Sequence, residues 1–293
     1  MRGLLLLQAI EEGIYRAVAA AAIRLPGDVR EALQKALERE ASPLGRSILE
    51  AILRNIEVAE ERKLPICQDT GTPTFYVEVG SDFPVKAEIE GVIVAAVRRA
   101  TREVPLRPNA VNPWSNVNSG DNTGVGVPII HWELVPGDKL RIRYLAKGGG
   151  SENVSALYML SPAKGVEGIK QAVIDAVLKA GPKPCPPVII GVGVGGGADA
   201  ALDAAKRAAM RPLGKQNPDP EVARLEEALL EEINSLGLGP MGLGGSTYAL
   251  GVHIEWMHRH PASLPVGVSM LCWAARRALV EFDPDGNFRL IEP

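Results

Sequence analysis

Three cysteines, far apart in the sequence, carry the most distinctive chemistry of this chain: Cys67, Cys185 and Cys272. Cys67 opens a polar run that continues with the amide of Gln68 and the carboxylate of Asp69 and lies between a proline and a glycine. Such a mixture of side chains on a turn is typical of a reaction centre. Three thiolates that meet in the fold suit an iron–sulfur cluster with one open iron better than structural zinc, which normally takes a fourth protein ligand. Because no local Cys-x-x-Cys pair exists, spacing alone favours the alternative that the cysteines are small buried hydrophobic residues.

The neighbours of two cysteines shift this interpretation toward metal ligands. Cys185 lies in a Lys-Pro-Cys-Pro-Pro segment, which is incompatible with a helix interior and predicts a thiol fixed on a rigid turn. Cys272 is predicted at the start of a helix over about residues 271–280, where unpaired backbone amides stabilise a thiolate.

Two loops carry groups that can receive an anion. Arg107 lies in a loop rich in Pro, Asn and Gly over residues 102–124, and a guanidinium can hold a carboxylate in a bidentate fork. Lys147 is followed by three glycines, which present a cation and unobstructed backbone amides to a carboxylate or phosphate. The alternative for either segment is a solvated surface loop.

A glycine-rich segment, Gly191–Gly196, follows a predicted strand over 187–194 and matches the Gly-x-Gly-x-x-Gly pattern of dinucleotide sites. The expected second strand with an acidic residue about 20 positions on is absent from the sequence pattern, so nucleotide binding is disfavoured. The glycines would instead let the backbone pack closely beside a cluster or a substrate carboxylate.

The histidines give one candidate. His253 has apolar neighbours and is predicted to be a core or edge residue, whereas His258 and His131 are predicted to be solvated. His260 precedes a proline and leads toward Cys272, and it is the one histidine that we expect near the site, as proton donor or substrate contact.

The elements that position these residues are of two kinds. Apolar periodicity predicts helices over 4–22, 28–39 and 43–62, and then a mixture of strands and helices that includes a hairpin of 125–132 with 139–145. The predicted fold class is mixed α/β (α+β), in which a helical N-terminal region is followed by a mixed strand/helix unit with glycine-rich loops. No repeat or polar linker divides the chain, so we expect a single domain over 1–293, with a helical region over about 1–62 and a cluster-binding α/β region over about 63–293.

Composition restricts the class of protein. The net charge is −3 and no long basic run occurs, so nucleic-acid binding is not expected. The apolar run Leu4–Leu7 is short and is followed closely by charged residues, so neither a signal peptide nor a membrane span is expected. We expect a cytoplasmic protein, in which cysteines stay reduced.

Taken together, these residues resemble the α subunit of class I (iron–sulfur) fumarate hydratases and the related L-tartrate dehydratases. The resemblance covers nearly the whole chain and rests on motifs in order: Cys67–Thr72, Leu106–Pro108, Asn118–Thr123, Lys147–Ser155, the Cys185 segment, Gly237–Gly245, His260–Ala262 and Leu264–Val266.

The resemblance implies a 4Fe-4S cluster held by the three cysteines, with one open iron that acts as a Lewis acid. It implies Asp69 and His260 as catalytic residues. The implied contacts to a small dicarboxylate substrate are Gln68, Asp69, Arg107, Lys147, Gly149 and Gly150.

The implied reaction is the reversible hydration of fumarate to L-malate by a hydro-lyase, and the alternative is dehydration of tartrate to oxaloacetate. Because the sequence stops soon after Cys272, the second catalytic domain is expected on a separate β subunit, in an α2β2 or similar assembly. Two alternatives of other classes remain at this point. One is a nucleotide-binding oxidoreductase, and the other is a non-catalytic assembly partner whose cysteines belong to the core.

Overall fold

The computed structural model describes residues 2–293 and confirms the mixed α/β class. Three helices form the N-terminal region, as predicted: α1 (Arg2–Ile23), α2 (Gly27–Arg39) and α3 (Pro43–Arg62). The remaining elements follow in the order β1 (Thr72–Gly80), α4 (Ile89–Glu103), β2 (Ile129–Val135), β3 (Leu140–Lys147), α5 (Gly149–Glu152), β4 (Ala156–Leu160), α6 (Gly165–Ala180), β5 (Val188–Gly196), α7 (Ala198–Ala209), α8 (Pro220–Ser235), β6 (Ala249–Arg259), β7 (Leu264–Leu271), β8 (Arg277–Phe282) and β9 (Phe288–Glu292). No helix within residues 2–293 is long and apolar enough to cross a membrane.

The chain divides into two compact units, each made of segments that are separate in sequence. The first unit contains Met1–Pro26, Asn55–Gly148 and Arg276–Pro293, and the second contains Gly27–Arg54 and Gly149–Ala275. The expectation of a single domain over 1–293 stays a prediction.

The first unit is built on a five-stranded sheet in the order β2-β1-β3-β8-β9. Its core consists of apolar side chains from the sheet and from α1 and α4, among them Ile14, Phe75 and Phe282, which are fully buried. Gly13 on α1 lies directly against the sheet, because a Cβ there would be 2.5 Å from the ring of Phe282. Burial of these large side chains is the main stabilising term for the sheet that carries the Cys67 loop at the start of β1.

The predicted hairpin of β2 with β3 is wrong. Both strands pair with β1, β2 in parallel and β3 antiparallel, so β1 lies between them. The connection from β2 to β3 crosses the end of β1, where the N–H of Gly80 donates to the carbonyl of Lys139 at 2.8 Å. A Cβ on Gly80 would lie 2.3 Å from the Gly137 oxygen, so the missing side chain makes room for this crossing. The local pattern cannot indicate this arrangement, because the strand inserted between β2 and β3 is distant in sequence.

The second unit is built on a four-stranded sheet in the order β4-β7-β5-β6. Strand β5 is parallel to β6 and antiparallel to β7. The glycines of the Gly-x-Gly-x-x-Gly pattern lie inside β5, where Cβ atoms on Gly191 and Gly193 would be 2.0 Å from the carbonyl oxygens of Ala205 and Ala201. They therefore let α7 pack against the strand, and the expectation that they pack beside a cluster or substrate is wrong.

The predicted helix over 271–280 is also wrong. Strand β7 ends at Leu271, Cys272 lies in the bend that follows, and β8 begins at Arg277. The sequence after Cys272 is rich in Ala, Arg and Leu, which favour helices. In the fold, β8 pairs with β3, and Ala278, Val280 and Phe282 are buried in the first unit. This tertiary pairing overrides the local preference.

Candidate functional site

The Cys67 loop belongs to the first unit and connects α3 to β1. Its backbone is fixed at Ile66, whose N–H donates to the carbonyl of Ala22 at 2.9 Å and whose carbonyl accepts from Asn55 Nδ2 at 2.9 Å. Cys67 is half-buried with a free thiol, and its Sγ lies 4.0 Å from Oε1 of Gln68, which is exposed. The loop therefore presents the thiol and the amide on a backbone that is held in place.

Asp69 packs against the end of β3. Its Oδ1 accepts a hydrogen bond from the N–H of Gly71 at 3.0 Å. Its Oδ2 lies over Gly148, because a Cβ on Gly148 would be 2.9 Å from that oxygen. Thr72 pairs with Lys147 in the sheet, so the first unit brings the predicted contacts Asp69 and Lys147 to one end of the β1–β3 pair.

Arg107 is tied to the same loop through its backbone. Its N–H donates to Thr70 Oγ1 at 3.0 Å, and the Thr70 hydroxyl donates to the Arg107 carbonyl at 3.3 Å. Asn109 Nδ2 donates to the carbonyl of Gly71 at 3.0 Å, and buried Asn122 donates to the carbonyl of Arg107 at 2.9 Å. Arg107 is exposed, and its backbone is bonded to Thr70, which follows Gln68 and Asp69 in the Cys67 loop.

Cys185 and Cys272 lie on neighbouring loops at one end of the sheet in the second unit. Cys185 precedes β5 and Cys272 follows β7, and these strands pair with Ile189 opposite Leu271. The N–H of Trp273 donates to the carbonyl of Cys185 at 3.3 Å, which joins the two loops directly. Cys185 is exposed with φ +53°, and Cys272 is half-buried. The predicted turn at Cys185 is confirmed, and the two thiols, neither of which forms a disulfide, lie on neighbouring loops.

Gly149 and Gly150 begin the short helix α5 in the second unit, where an open loop was expected. A Cβ on Gly150 would lie 2.9 Å from the carbonyl oxygen of Lys183, two residues before Cys185. Gly150 is thus close to the Cys185 turn, and its role as a substrate contact stays a prediction.

A second glycine loop, residues 237–246, supports the Cys185 turn, and sequence reasoning assigned it no role. The N–H of Met241 donates to the carbonyl of Pro186 at 2.9 Å. The buried carboxylate of Glu40 accepts from the N–H groups of Ser246 at 3.0 Å and Thr247 at 3.2 Å. Burial alone would raise the pKa of Glu40, but these hydrogen bonds and one from Ser42 outweigh it and hold the pKa below its ordinary value. Nothing local in the sequence marks the contact of Glu40 with the glycine loop, because Ser246 and Thr247 are more than 200 positions away.

His260 lies at the opposite end of the sheet from Cys185 and Cys272. It follows β6 and precedes β7, and its Nδ1 accepts from the N–H of Ala262 at 3.1 Å. Strand β7 has eight residues between these two ends, which corresponds to roughly 23 Å at about 3.3 Å per residue. The chain therefore does not bring His260 to these cysteines, and its catalytic role stays a prediction.

The other three histidines have environments that do not involve the candidate site. His253 is buried with Nδ1 3.2 Å from the carbonyl oxygen of Ala208, as expected for a core residue. His258 is exposed, as expected. His131 is not simply solvated, because it is half-buried and stacks on Tyr76 with ring centroids 4.5 Å apart.

Within residues 2–293, no three His, Cys, Asp or Glu side chains are arranged so that they hold a single metal ion. The chain thus provides two adjacent soft ligands in the second unit and one, Cys67, in the first unit.

Comparison with known proteins identifies the family. The model of the family described as fumarate hydratase (fumerase) matches residues 11–281. A Methanocaldococcus jannaschii protein named "Putative L(+)-tartrate dehydratase subunit alpha" is 46% identical over 272 residues, which cover 91% of this chain and 95% of the relative. The L(+)-tartrate dehydratase α subunits of Escherichia coli strains UTI89 and K12 are 39% and 38% identical over 266 residues, which cover 90% of this chain and 88% of each relative. The chain belongs to the fumarate hydratase family.

Proposed function

We propose that this chain is the α subunit of an iron–sulfur hydro-lyase that dehydrates L(+)-tartrate to oxaloacetate. Membership of the family supports hydro-lyase chemistry. The sequence alone favours fumarate as the substrate, but the names of the relatives favour tartrate. Hydration of fumarate to L-malate is the second candidate, because the family model carries that name. The geometric observation that carries the proposal is the hydrogen bond that joins the loops of Cys185 and Cys272.

The donor set fits a 4Fe-4S cluster with one open iron. None of the three cysteines forms a disulfide or is fully buried, which argues against the alternative interpretation that they are small core residues. Thiolate is the ligand that iron–sulfur clusters use. Cys67, Cys185 and Cys272 would hold the cluster, which when bound supplies a Lewis acid for a substrate hydroxyl.

The chain's own residues would bind and orient the substrate. Tartrate carries two carboxylates, and the exposed guanidinium of Arg107 is suited to a bidentate carboxylate contact. Lys147, Gln68, Gly149 and Gly150 are the further proposed contacts. A fixed arrangement of such groups lowers the barrier by orienting the reacting carbon before any bond breaks.

Asp69 is the proposed acid/base. Its carboxylate is held through Oδ1 by Gly71 and rests on Gly148, so its position is defined before substrate binds. In the dehydration it would accept the proton from the carbon next to the one that loses hydroxide, so that one water leaves in total. The resulting enol rearranges to oxaloacetate. A positioned general base of this kind contributes about 10²–10⁴-fold to the rate.

A β subunit is the proposed partner, in an α2β2 or similar assembly, because the relatives are named as α subunits. We also place the protein in the cytoplasm, where its thiols would stay reduced. The dinucleotide alternative has lost its support, since α7 occupies the space beside Gly191 and Gly193.

The test is an anaerobic assay of the chain assembled with its β subunit. We expect kcat/KM for L(+)-tartrate to exceed that for fumarate at least tenfold, with oxaloacetate as the product. A clear preference for fumarate would establish the second candidate. Turnover of neither substrate by an assembled, iron-loaded complex would refute both.

A further inference from the structure

Arg276 is a buried guanidinium beneath the loop that carries Asp69. It is 2% exposed and lies immediately before β8, within the first unit. Its Nη1 donates to the main-chain carbonyl of Asp69, and its Nη2 donates to the carbonyl of Ala146 at 3.4 Å. The N–H of Ala146 in turn donates to the carbonyl of Arg276 at 3.0 Å. Both the backbone and the side chain of Arg276 are therefore fixed to β3, and the side chain reaches across to the Asp69 loop.

The guanidinium also approaches the carboxylate of Asp69. A Cβ on Gly148 would lie 2.9 Å from Asp69 Oδ2 and 3.5 Å from Arg276 Nη2, so the two groups lie near the same point. The Nε of Arg276 is buried without a hydrogen-bond partner in the part of the chain that the structure describes. A buried cation with an unsatisfied donor is costly for stability, and an apolar side chain of similar size is often neutral or better. Stability alone therefore does not explain this arginine.

The next residue provides a comparison within the same strand. Arg277 is also fully buried, but its Nε donates to Glu292 on β9 at 3.2 Å, which is a structural ion pair at the edge of the sheet. Arg276 instead donates to one main-chain carbonyl of the loop that presents the proposed acid/base, that of Asp69, and to one on β3, that of Ala146. The two neighbouring arginines thus differ in what they hold, because Arg276 contacts the Asp69 loop and β3 whereas Arg277 contacts β9.

We propose that Arg276 is a positioning residue, which holds the Asp69 backbone so that the carboxylate stays over Gly148. The inference rests on the proposed role of Asp69 in the hydro-lyase reaction, and it adds a residue that acts through another one without touching substrate. Because a displacement of about 1 Å in a reacting group can reduce a rate about 100-fold, loss of this contact is expected to act mainly on kcat.

The test compares Arg276→Met and Arg276→Lys with the matched controls Arg277→Met and Arg277→Lys, all in the iron-loaded complex with the β subunit. We expect Arg276→Met to lower kcat about 100-fold with KM changed less than threefold and iron content preserved. Arg276→Lys keeps a cation that can reach one carbonyl. Its kcat is therefore expected to be about tenfold higher than that of Arg276→Met. The Arg277 variants are expected to lower the thermal midpoint and to leave kcat within threefold.

A second measurement, amide hydrogen exchange, does not depend on activity. In Arg276→Met, exchange is expected to accelerate at residues 68–71, whereas in Arg277→Met it is expected to accelerate at residues 288–292. Unchanged exchange at 68–71 together with a normal kcat would overturn the inference, even if the wild-type enzyme is active. A wild-type complex without activity would refute the proposed function instead, while faster exchange at 68–71 would still support the positioning role. If Arg276→Met fails to fold, Arg276→Lys decides the question by the same two measurements.

Discussion

Glu40 gives the sharpest prediction about how the Cys185 turn is supported. Its carboxylate accepts from the N–H groups of Ser42, Ser246 and Thr247 at 3.0, 3.0 and 3.2 Å, and the residue is 2% exposed. Hydrogen bonds to a charged acceptor contribute about 1.5–3 kcal/mol each, and an unsatisfied buried donor costs about 1–3 kcal/mol. Glu40→Gln replaces one acceptor oxygen with an amide group that faces N–H donors. We therefore expect the free energy of unfolding to fall by about 3 kcal/mol.

The matched control is Glu38→Gln, an exposed residue in the last turn of α2, two positions before Glu40. Thermal unfolding followed by circular dichroism is expected to show a midpoint lowered by roughly 6–12 °C for Glu40→Gln and no change for Glu38→Gln. Because Met241 of the same glycine loop donates to Pro186, exchange is also expected to accelerate at the Met241 amide. Equal midpoints for the two variants would refute the claim that Glu40 fixes the loop that supports Cys185.

Three further predictions concern the pH dependence of Glu40, the glycines of β5 and the role of His260. The pKa of Glu40 is lowered from 4.5 in the folded chain. The stabilisation that the Glu40 carboxylate gives the fold is therefore complete above pH about 4.5 and is lost as the pH falls through the pKa of the folded chain. The difference in thermal midpoint between wild type and Glu40→Gln should shrink only below pH about 4.5. Gly193→Ala, whose Cβ would lie 2.0 Å from the Ala201 oxygen, is expected to abolish soluble expression, whereas Gly124→Ala, with open space around it, is expected to be neutral. If His260 serves the site from a second copy, complexes that mix His260→Asn and Asp69→Asn chains should regain up to half of wild-type activity, and no recovery would exclude that arrangement.

The part of the site that the sequence could predict is the conformation of the loops that carry the candidate residues. Proline on both sides of Cys185 predicts a turn wherever the segment lies in the fold, and the structure has that turn. The polar residues after Cys67 and around Arg107 likewise predict loops, and the loops are present. In each case the conformation follows from residues within a few positions of one another.

The errors and omissions share a different physical cause. The helix predicted after Cys272 is replaced by β8, because pairing with β3 buries Val280 and Phe282. The importance of Arg276 and Glu40 depends on hydrogen bonds to residues about 200 positions away. Local patterns carry no information on such partners, so supporting residues are harder to find in a sequence than the ligands that they support.

The most direct test of the account is anaerobic iron and sulfide analysis of the complex with the β subunit, for wild type and for Cys67→Ser, Cys185→Ser and Cys272→Ser. We expect about four irons per chain in the wild type, as for a 4Fe-4S cluster, with thiolate–iron absorption that each substitution removes. Iron content that is unchanged in all three variants, or absent from an active wild type, would contradict the assignment of the three cysteines as cluster ligands.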